Sequence, residues 1–130
     1  MKITKKKLIN CAESLWKEVC RRRDGDCQAL RFEENHVCSG YLQVDHCFSR
    51  MVGQLFLDPR NGTLICQGFH VRKTNKVKAA DKFLDEFVRA REGEEWWAYA
   101  KAVCKSKKPH IWNLFDLDRT IISLRSLLNG

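Results

Sequence analysis

The stretch that decides the fold is residues 41–74, YLQVDHCFSRMVGQLFLDPRNGTLICQGFHVRKT. It begins with a short run that alternates in polarity, with Leu42 and Val44 on one face, which is typical of a half-buried strand. A loop that ends in turn residues follows, and then a second short strand is predicted at 63–66. A basic helix is predicted from residue 67 onward. The stretch therefore predicts a strand–loop–strand–helix unit.

The polar side chains of this unit are of the types that phosphodiester hydrolysis requires. That reaction needs a base to activate water and a divalent ion to hold the phosphate. Asp45 and His46 are neighbours at a strand end, so one can face a metal while the other faces the attacking water. An imidazole, with an ordinary pKa of about 6.5, suits a base near neutral pH. His70 on the helix can reach the same metal, and Asn61 can fix the loop through hydrogen bonds to the backbone.

This pattern, from Asp45-His46 through Asn61 to the run Leu64-Ile65-Cys66-Gln67-Gly68-Phe69-His70-Val71-Arg72-Lys73-Thr74, resembles the HNH endonuclease family. In that family a strand ends in Asp-His, an Asn lies in the turn, and a helix starts with L-C-x-x-C-H-x-x-K-T. The resemblance implies a ββα-metal fold. It also implies that His46 is the general base, that Asp45 and His70 are metal ligands, and that Asn61 supports catalysis as the loop anchor. The alternative, that each is an ordinary strand-end, turn or helix-start residue, is disfavoured by their joint spacing.

A narrower resemblance, to phage recombination proteins of the NinG/Rap type, extends over nearly the whole chain. It rests on the run from Val19 to Cys27, where a helix leads into an Arg-rich turn, and on residues 83–99 with their Gly-Glu-Glu-Trp-Trp. Those proteins are associated with branched DNA made during phage recombination. The resemblance implies duplex or branched DNA as the partner, in the cytoplasm of a bacterial host.

Helices are predicted on both sides of the central unit. Thr4 could cap a helix over residues 4–23, whose apolar residues recur at helical spacing. Three further helical segments are predicted at residues 81–90, 94–104 and 114–128. The predicted fold class is α+β, a small ββα-metal core with an N-terminal helix and C-terminal helices. A single domain is expected, with the N-terminal helix in 1–26, the core in 27–80 and the helical extension in 81–130.

The charge of the chain favours a polyanionic partner. The 130 residues carry a formal net charge of +8, and each Lys or Arg that neutralises a phosphate releases counterions. A solvated surface that happens to be basic is the alternative. No apolar run has the roughly 18 residues of a membrane helix, and no secretory signal is recognised, so we expect the cytosol and no membrane partner. A homodimer is left open. The expected DNA contacts are Arg50, Arg72, Lys73 and Lys76.

The chain has seven cysteines, an odd number that favours reduced thiols or metal ligands over disulfides. Many HNH domains hold a structural zinc between two C-x-x-C knuckles. Here the second knuckle has Phe69 in place of its second cysteine, and the spacing of the first is stretched. The candidate zinc ligands are Cys27, Cys38 and Cys66, with His36 or Cys47 as a fourth. We favour the alternative, in which Phe69 fills the space and no zinc is bound.

The expected cofactor at the active site is one divalent ion, Mg²⁺, Mn²⁺ or Zn²⁺, because a His/Asp site accepts several metals. The sequence therefore predicts a metal-dependent DNA endonuclease that hydrolyses phosphodiester bonds. The alternative is a non-catalytic phage accessory protein that keeps the fold and binds DNA or a host partner.

Overall fold

The computed structural model describes residues 4–74, 78–108 and 110–129, with the backbone alone for residue 74 and residues 78–81. The fold is mostly helical α+β, with an N-terminal helix, a two-stranded antiparallel hairpin and several C-terminal helices, which confirms the predicted fold class. In chain order the elements are α1 (Lys5–Asp24), α2 (Ala29–Phe32), β1 (Leu42–His46), α3 (Gly53–Phe56), a 3₁₀ turn (Pro59–Asn61), β2 (Gly62–Cys66), α4 (Gln67–Thr74), α5 (Lys78–Glu92), α6 (Glu94–Ser106) and α7 (Leu114–Asn129).

Helix α1 begins and ends with the capping residues that its sequence predicts. The hydroxyl of Thr4 accepts a hydrogen bond from the backbone N–H of Lys7, at 3.2 Å. This bond satisfies one of the N–H groups that a helix start leaves without a helical partner. The helix ends at Gly25, whose φ of +77° favours glycine and whose N–H returns to Arg21 O.

The turn after α1 joins that helix to the hairpin. The buried carboxylate of Asp24 accepts a hydrogen bond from the N–H of Leu64 at 2.9 Å, and Gln28 N–H donates to Leu64 O at 2.8 Å. These bonds satisfy the backbone N–H and C=O of Leu64 on the edge of β2 that does not pair with β1. Arg23 forms an ion pair with Asp24 and also donates to Pro59 O. The Arg-rich turn therefore holds the end of α1 against the hairpin.

The hairpin lies between two apolar clusters. β1 and β2 pair antiparallel, with Asp45 opposite Thr63 and His46 opposite Gly62. One cluster combines the cysteine-bearing segment with residues of β2, α4, α5 and α6, including the buried Trp96 and Trp97. The other packs α1 against α7 and against Phe56 and Leu57, around the fully buried Trp16. Because both faces of the hairpin are covered, every residue of β2 is buried.

Short helices lie in two stretches for which the sequence predicts none. α2 lies between the N-terminal helix and β1, and α3 and the 3₁₀ turn lie within the predicted loop between the two strands. A helix of four residues has no apolar period to read, and tertiary contacts hold such turns in place. The side chain of Asp58 caps the 3₁₀ turn through Arg60 N–H, and its carbonyl accepts from Trp16 Nε1 at 2.8 Å. In the described part of the chain, no helix has the length and apolarity needed to cross a membrane.

Candidate active site and metal centre

Asp45, His70 and Lys73 are brought together where β1 meets α4. Asp45 is 8 % exposed, and its Oδ1 lies 3.4 Å from Nδ1 of His70. Its other oxygen, Oδ2, accepts a hydrogen bond from Nζ of Lys73 at 2.9 Å. His70 and Lys73 are three residues apart on α4, so they lie on one face of that helix, which packs against the hairpin. The two predicted metal ligands are therefore neighbours.

The spacing of Asp45 and His70 fits a shared metal ion. Ligand atoms bound to one ion at about 2.1 Å are separated by about 3.0–3.4 Å in octahedral or tetrahedral geometry. The observed 3.4 Å between Oδ1 and Nδ1 lies at the upper end of that range. A carboxylate oxygen suits Mg²⁺ and Mn²⁺ and an imidazole nitrogen suits Zn²⁺, so the two ligand types do not select one of these ions. The pair can supply two ligands, and solvent or phosphate oxygens would have to supply the others.

His46 lies on the opposite side of β1 from Asp45, as strand alternation predicts. Its ring is stacked on Trp16 from α1, with centroids 4.2 Å apart, and on Phe56 from α3, at 5.6 Å. Its Nε2 lies 3.0 Å from Phe56 O. A carbonyl oxygen only accepts, so Nε2 carries the proton in this bond and Nδ1 is left as the basic nitrogen. Burial lowers the pKa of His46, partly offset by the Phe56 hydrogen bond and the Asp45 charge. The ring is therefore held neutral and in one tautomer.

Asn61 ties the two ends of the loop that contains α3. Its fully buried amide donates to Phe48 O and Leu55 O, each at 3.0 Å, and accepts from Phe48 N–H at 2.7 Å. Its own carbonyl accepts from Cys47 N–H at 2.9 Å. These bonds join the residues that follow β1 to Leu55 in α3. The next residue, Phe56, supplies the carbonyl that holds His46. Asn61 thus fixes the loop and, through it, the imidazole.

The cations predicted to contact DNA differ in their surroundings. Arg72 donates to Oε1 of Glu33 at 2.6 Å, and Lys73 is bound to Asp45 with its side chain only 18 % exposed. Both are committed to ion pairs within the protein. Lys76 lies outside the described residues. Of the cations predicted on and beyond α4, the two that the structure describes therefore already have carboxylate partners.

Arg50 lies in the loop beside the base. Its guanidinium is 5.1 Å from the centre of the Phe56 ring and donates to Glu13 of α1 at 3.0 Å. Its side chain is largely exposed. An exposed guanidinium next to the ring that stacks on His46 is placed to contact a phosphate near the site, and this role stays a prediction.

A second group of potential metal ligands lies at the junction of α2, β2 and α4. Each residue offers one ligand atom, and these atoms all lie within 4.8 Å of one another. Nε2 of His36 is 3.6 Å from Sγ of Cys27 and 3.4 Å from Sγ of Cys66. Ligands of a tetrahedral zinc with bonds of about 2.3 Å to sulfur and 2.0 Å to nitrogen would be about 3.5 Å apart. This cluster could bind a metal, and its members are Cys27, His36, Cys38 and Cys66.

The structure resolves what the cysteine spacing left open. His36, not Cys47, joins the three predicted cysteines, while Cys47 donates to Asp85 Oδ1 at 3.5 Å. Phe69 is fully buried in the apolar core, edge-on to Phe32. The replacement of the usual second cysteine by Phe69 therefore fills the core without removing the ligand set, because His36 completes it.

Glu33 supports this cluster and was not identified from the sequence. Its Oε1 accepts from Nδ1 of His36 at 2.6 Å, so Nε2 is the nitrogen that faces the sulfurs. Such carboxylate–imidazole pairs orient the histidines of metal sites. Although burial raises the pKa of Glu33, hydrogen bonds from Arg72 and His36 lower it overall. The i, i+3 spacing of Glu33 and His36 is the signal that could have indicated the pair.

The thiols of the cluster have unequal acidity. Burial raises the pKa of Cys27 to about 11. Burial also acts to raise the pKa of Cys66, but hydrogen bonds from the backbone of Ser39 and Phe69, and from the Ser39 side chain, lower it to about 6. Cys66 is therefore the thiolate of the pair near neutral pH. Thiolates are the sulfur form that binds zinc.

Comparison with known proteins finds no family model, no curated protein and no solved structure that matches this chain. Within the described residues, the Cys₃His cluster is the one group of at least three potential ligands that could hold an ion. The Asp45–His70 pair offers two.

Proposed function

We propose that the protein is a metal-dependent endonuclease that hydrolyses phosphodiester bonds of DNA, duplex or branched. The observation that carries this proposal is the arrangement at the end of β1. Asp45 and His70 have the separation of two ligands of one ion, while His46 is held with Nδ1 as its basic nitrogen. A base and a metal pair on neighbouring residues are what water-mediated phosphodiester hydrolysis needs.

In this proposal His46 Nδ1 accepts the proton of the attacking water as the water oxygen bonds to phosphorus. The bond from phosphorus to the leaving oxygen then breaks. An ion held by Asp45 and His70 would supply stabilisation of charge on the phosphate and the leaving oxygen. Asn61 and Trp16 hold the imidazole in place, and Arg50 contacts an adjacent phosphate. The net charge of +8 supports a polyanionic substrate such as DNA.

The test is cleavage of linear, flap and four-way-junction DNA with Mg²⁺, Mn²⁺ or no divalent ion. We expect cleavage only with an ion, and its loss in His70→Ala. His110→Ala is the matched control, because His110 is an exposed imidazole outside the site. Equal cleavage by wild type and His70→Ala would refute the assignment of the metal pair. The relative rates on the three substrates identify the preferred DNA structure.

We further propose that the Cys₃His cluster holds a structural zinc ion. Its support is the 3.4–3.6 Å separation of His36 Nε2 from the two sulfurs and the orienting carboxylate of Glu33. Protein purified without added chelator should contain about one equivalent of zinc. The Cys38→Ser variant should contain much less, whereas Cys11→Ser, at a half-buried thiol outside the cluster, should not differ from wild type.

A non-catalytic DNA-binding protein is the second candidate. The observation in its favour is that Lys73 already neutralises the Asp45 carboxylate, at 2.9 Å. A protein that needed only the fold could keep this ion pair as a structural contact. It would bind DNA and zinc but would cleave no substrate of the panel with any ion.

A further inference from the structure

We infer that Lys73 is the internal counter-ion of Asp45. Its positive charge weakens divalent-ion binding at the Asp45–His70 pair, and it also makes the ion-occupied site more cationic. This inference rests on the proposed function. It replaces the role of Lys73 as a DNA contact with that of a positioning residue for the metal pair. No feature of the sequence alone distinguishes the two roles, because both place a lysine on the same helix.

The geometry separates the two oxygens of Asp45. Oδ2 is bound to Nζ of Lys73 at 2.9 Å, while Oδ1 faces Nδ1 of His70 at 3.4 Å. Lys73 also donates to the carbonyl of His46, at 2.8 Å. The ammonium is therefore fixed by two acceptors and can keep both bonds while an ion occupies the Oδ1 side. A metal ion and Lys73 can therefore both bind Asp45 at the same time, but both interact with the single negative charge of its carboxylate.

The burial of the Lys73–Asp45 pair strengthens the effect of the Lys73 charge on an ion bound at Asp45. The side chains of Lys73 and Asp45 are 18 % and 11 % exposed, so solvent screens their charges less than it screens a surface ion pair. With Lys73 in place, the charge of Asp45 is already balanced, and a divalent ion adds its charge to a neutral pair. The occupied site then carries about two positive charges, which favours the phosphate and the charge that develops on it.

Removal of the ammonium should therefore have opposite effects on metal binding and on cleavage. A +1 charge a few ångström from a +2 charge opposes binding enough that its loss should tighten Mn²⁺ binding about tenfold. Cleavage should slow at saturating Mn²⁺, because the site is less cationic. A residue that only supported the fold would weaken both.

The experiment is calorimetric titration of the zinc-containing protein with Mn²⁺ in the absence of DNA. Lys73→Met removes the charge and the hydrogen bonds, whereas Lys73→Gln removes the charge and keeps a donor for Asp45. Lys73→Arg keeps the charge. Lys82→Met is the control for net charge, since Lys82 is an exposed lysine paired with Glu86 on α5. Thermal melting reports whether each variant is folded.

We expect Mn²⁺ to bind about tenfold more tightly to both Lys73→Met and Lys73→Gln, and with unchanged affinity to Lys73→Arg and Lys82→Met. Unchanged or weaker binding in Lys73→Gln would overturn the inference, as would tightening in Lys82→Met. If wild type binds Mn²⁺ and Asp45→Asn does not, the metal pair stands whatever the Lys73 variants do. If Asp45→Asn binds like wild type, the metal pair and this inference both fall.

Discussion

His46 is held by three groups that come from two different elements. Trp16 of α1 and Phe56 of α3 cover the two faces of its ring, and Phe56 O fixes its tautomer. The sequence predicts the strand end and the side of the strand that His46 faces. It does not predict the stacking, because Trp16 lies far from His46 in the sequence and reaches the site only through the packing of α1 on the hairpin.

The state of His46 gives a prediction on pH. Burial is the main cause that lowers its pKa, and the neutral ring is the form that acts as a base. As pH falls through that pKa, the ring gains a proton and cleavage is lost. The acid limb of the rate at saturating metal should therefore lie below pH 6.5 or so, the ordinary histidine value. Single-turnover rates between pH 5 and pH 8, roughly, check this. A limb above the ordinary value, unaffected by metal concentration, would contradict the buried neutral base.

At the scale of elements, the approach of α1 to β2 depends on one glycine. A Cβ on Gly62 would lie 2.6 Å from Cys20 Sγ and 2.6 Å from Trp16 Cζ2. Because Trp16 is fully buried and bonded to Asp58 O, α1 would have to shift as a whole. The glycine is therefore needed for its lack of a side chain, and not for an unusual backbone angle.

We predict that Gly62→Ala lowers the free energy of unfolding by about 1–3 kcal/mol, the usual cost of overpacking. Gly68→Ala, in helix α4, is the matched control, since its Cβ would have its nearest neighbour, Ser39 Cβ, at 3.7 Å, an ordinary van der Waals distance. That control should be neutral or stabilising, by up to about 1 kcal/mol, because alanine is the better helix residue. Urea unfolding measures both variants. Equal stability of Gly62→Ala and wild type would show that α1 is not held as described.

The long helices were the elements that the sequence could predict. The apolar residues of α1 and α7 recur at helical spacing over several turns, and residues of both helices belong to the second cluster. The candidate metal ligands of the Cys₃His cluster were harder to predict. Cys27 and Cys38 have no knuckle spacing, and the fold brings them together only because α2 and the following turn, which contains His36, close on the end of β2. Sequence spacing does not predict a metal site whose ligands are brought together by tertiary packing and not by one local loop.

At the scale of the whole molecule, the two apolar clusters should respond differently to metal removal. Two of the proposed zinc ligands, Cys27 and Cys66, are buried members of the first cluster, and the second cluster contains none of them. Removal of zinc from the proposed site would leave the Cys66 thiolate without its counter-charge and the buried Cys27 without its ligand bond, which costs stability.

We predict that a chelator lowers the Tm of wild type by at least about 5 °C, since the loss of a kilocalorie per mole shifts a domain of this size by several degrees. Zinc should restore the Tm. Cys38→Ser, with its ligand set incomplete, should melt lower from the outset and change little on chelation. A wild-type Tm that is insensitive to chelator and to added zinc would contradict the structural zinc.

The distribution of charge gives a prediction on DNA affinity. Lys105, Lys107 and Lys108 are exposed, and in the part of the chain that is described none of them has a carboxylate within ion-pair distance. Arg72, in contrast, is bound to Glu33. Changing the three lysines to Ala should flatten the dependence of log K on log salt, by up to about 0.9 for each lost phosphate contact.

Arg72→Ala should have a smaller effect on that slope, because its charge is already paired. Binding isotherms on unrelated duplexes at several salt concentrations give the slopes, with Lys17→Ala, a lysine paired with Glu13, as a single-charge control. A larger change for Arg72→Ala than for the triple lysine variant would show that α4, and not the segment after α6, lies along the DNA backbone.

The central claim is that His46 is the general base of a metal-dependent endonuclease. Its most direct test is the single-turnover rate of nicking of supercoiled plasmid by wild type and His46→Ala, at saturating Mn²⁺ and at protein concentrations where both bind the DNA equally. We predict a loss of about 10²–10⁴-fold in the variant, the usual contribution of a general base. Equal rates for the two proteins, or no nicking by wild type with any divalent ion, would contradict the claim.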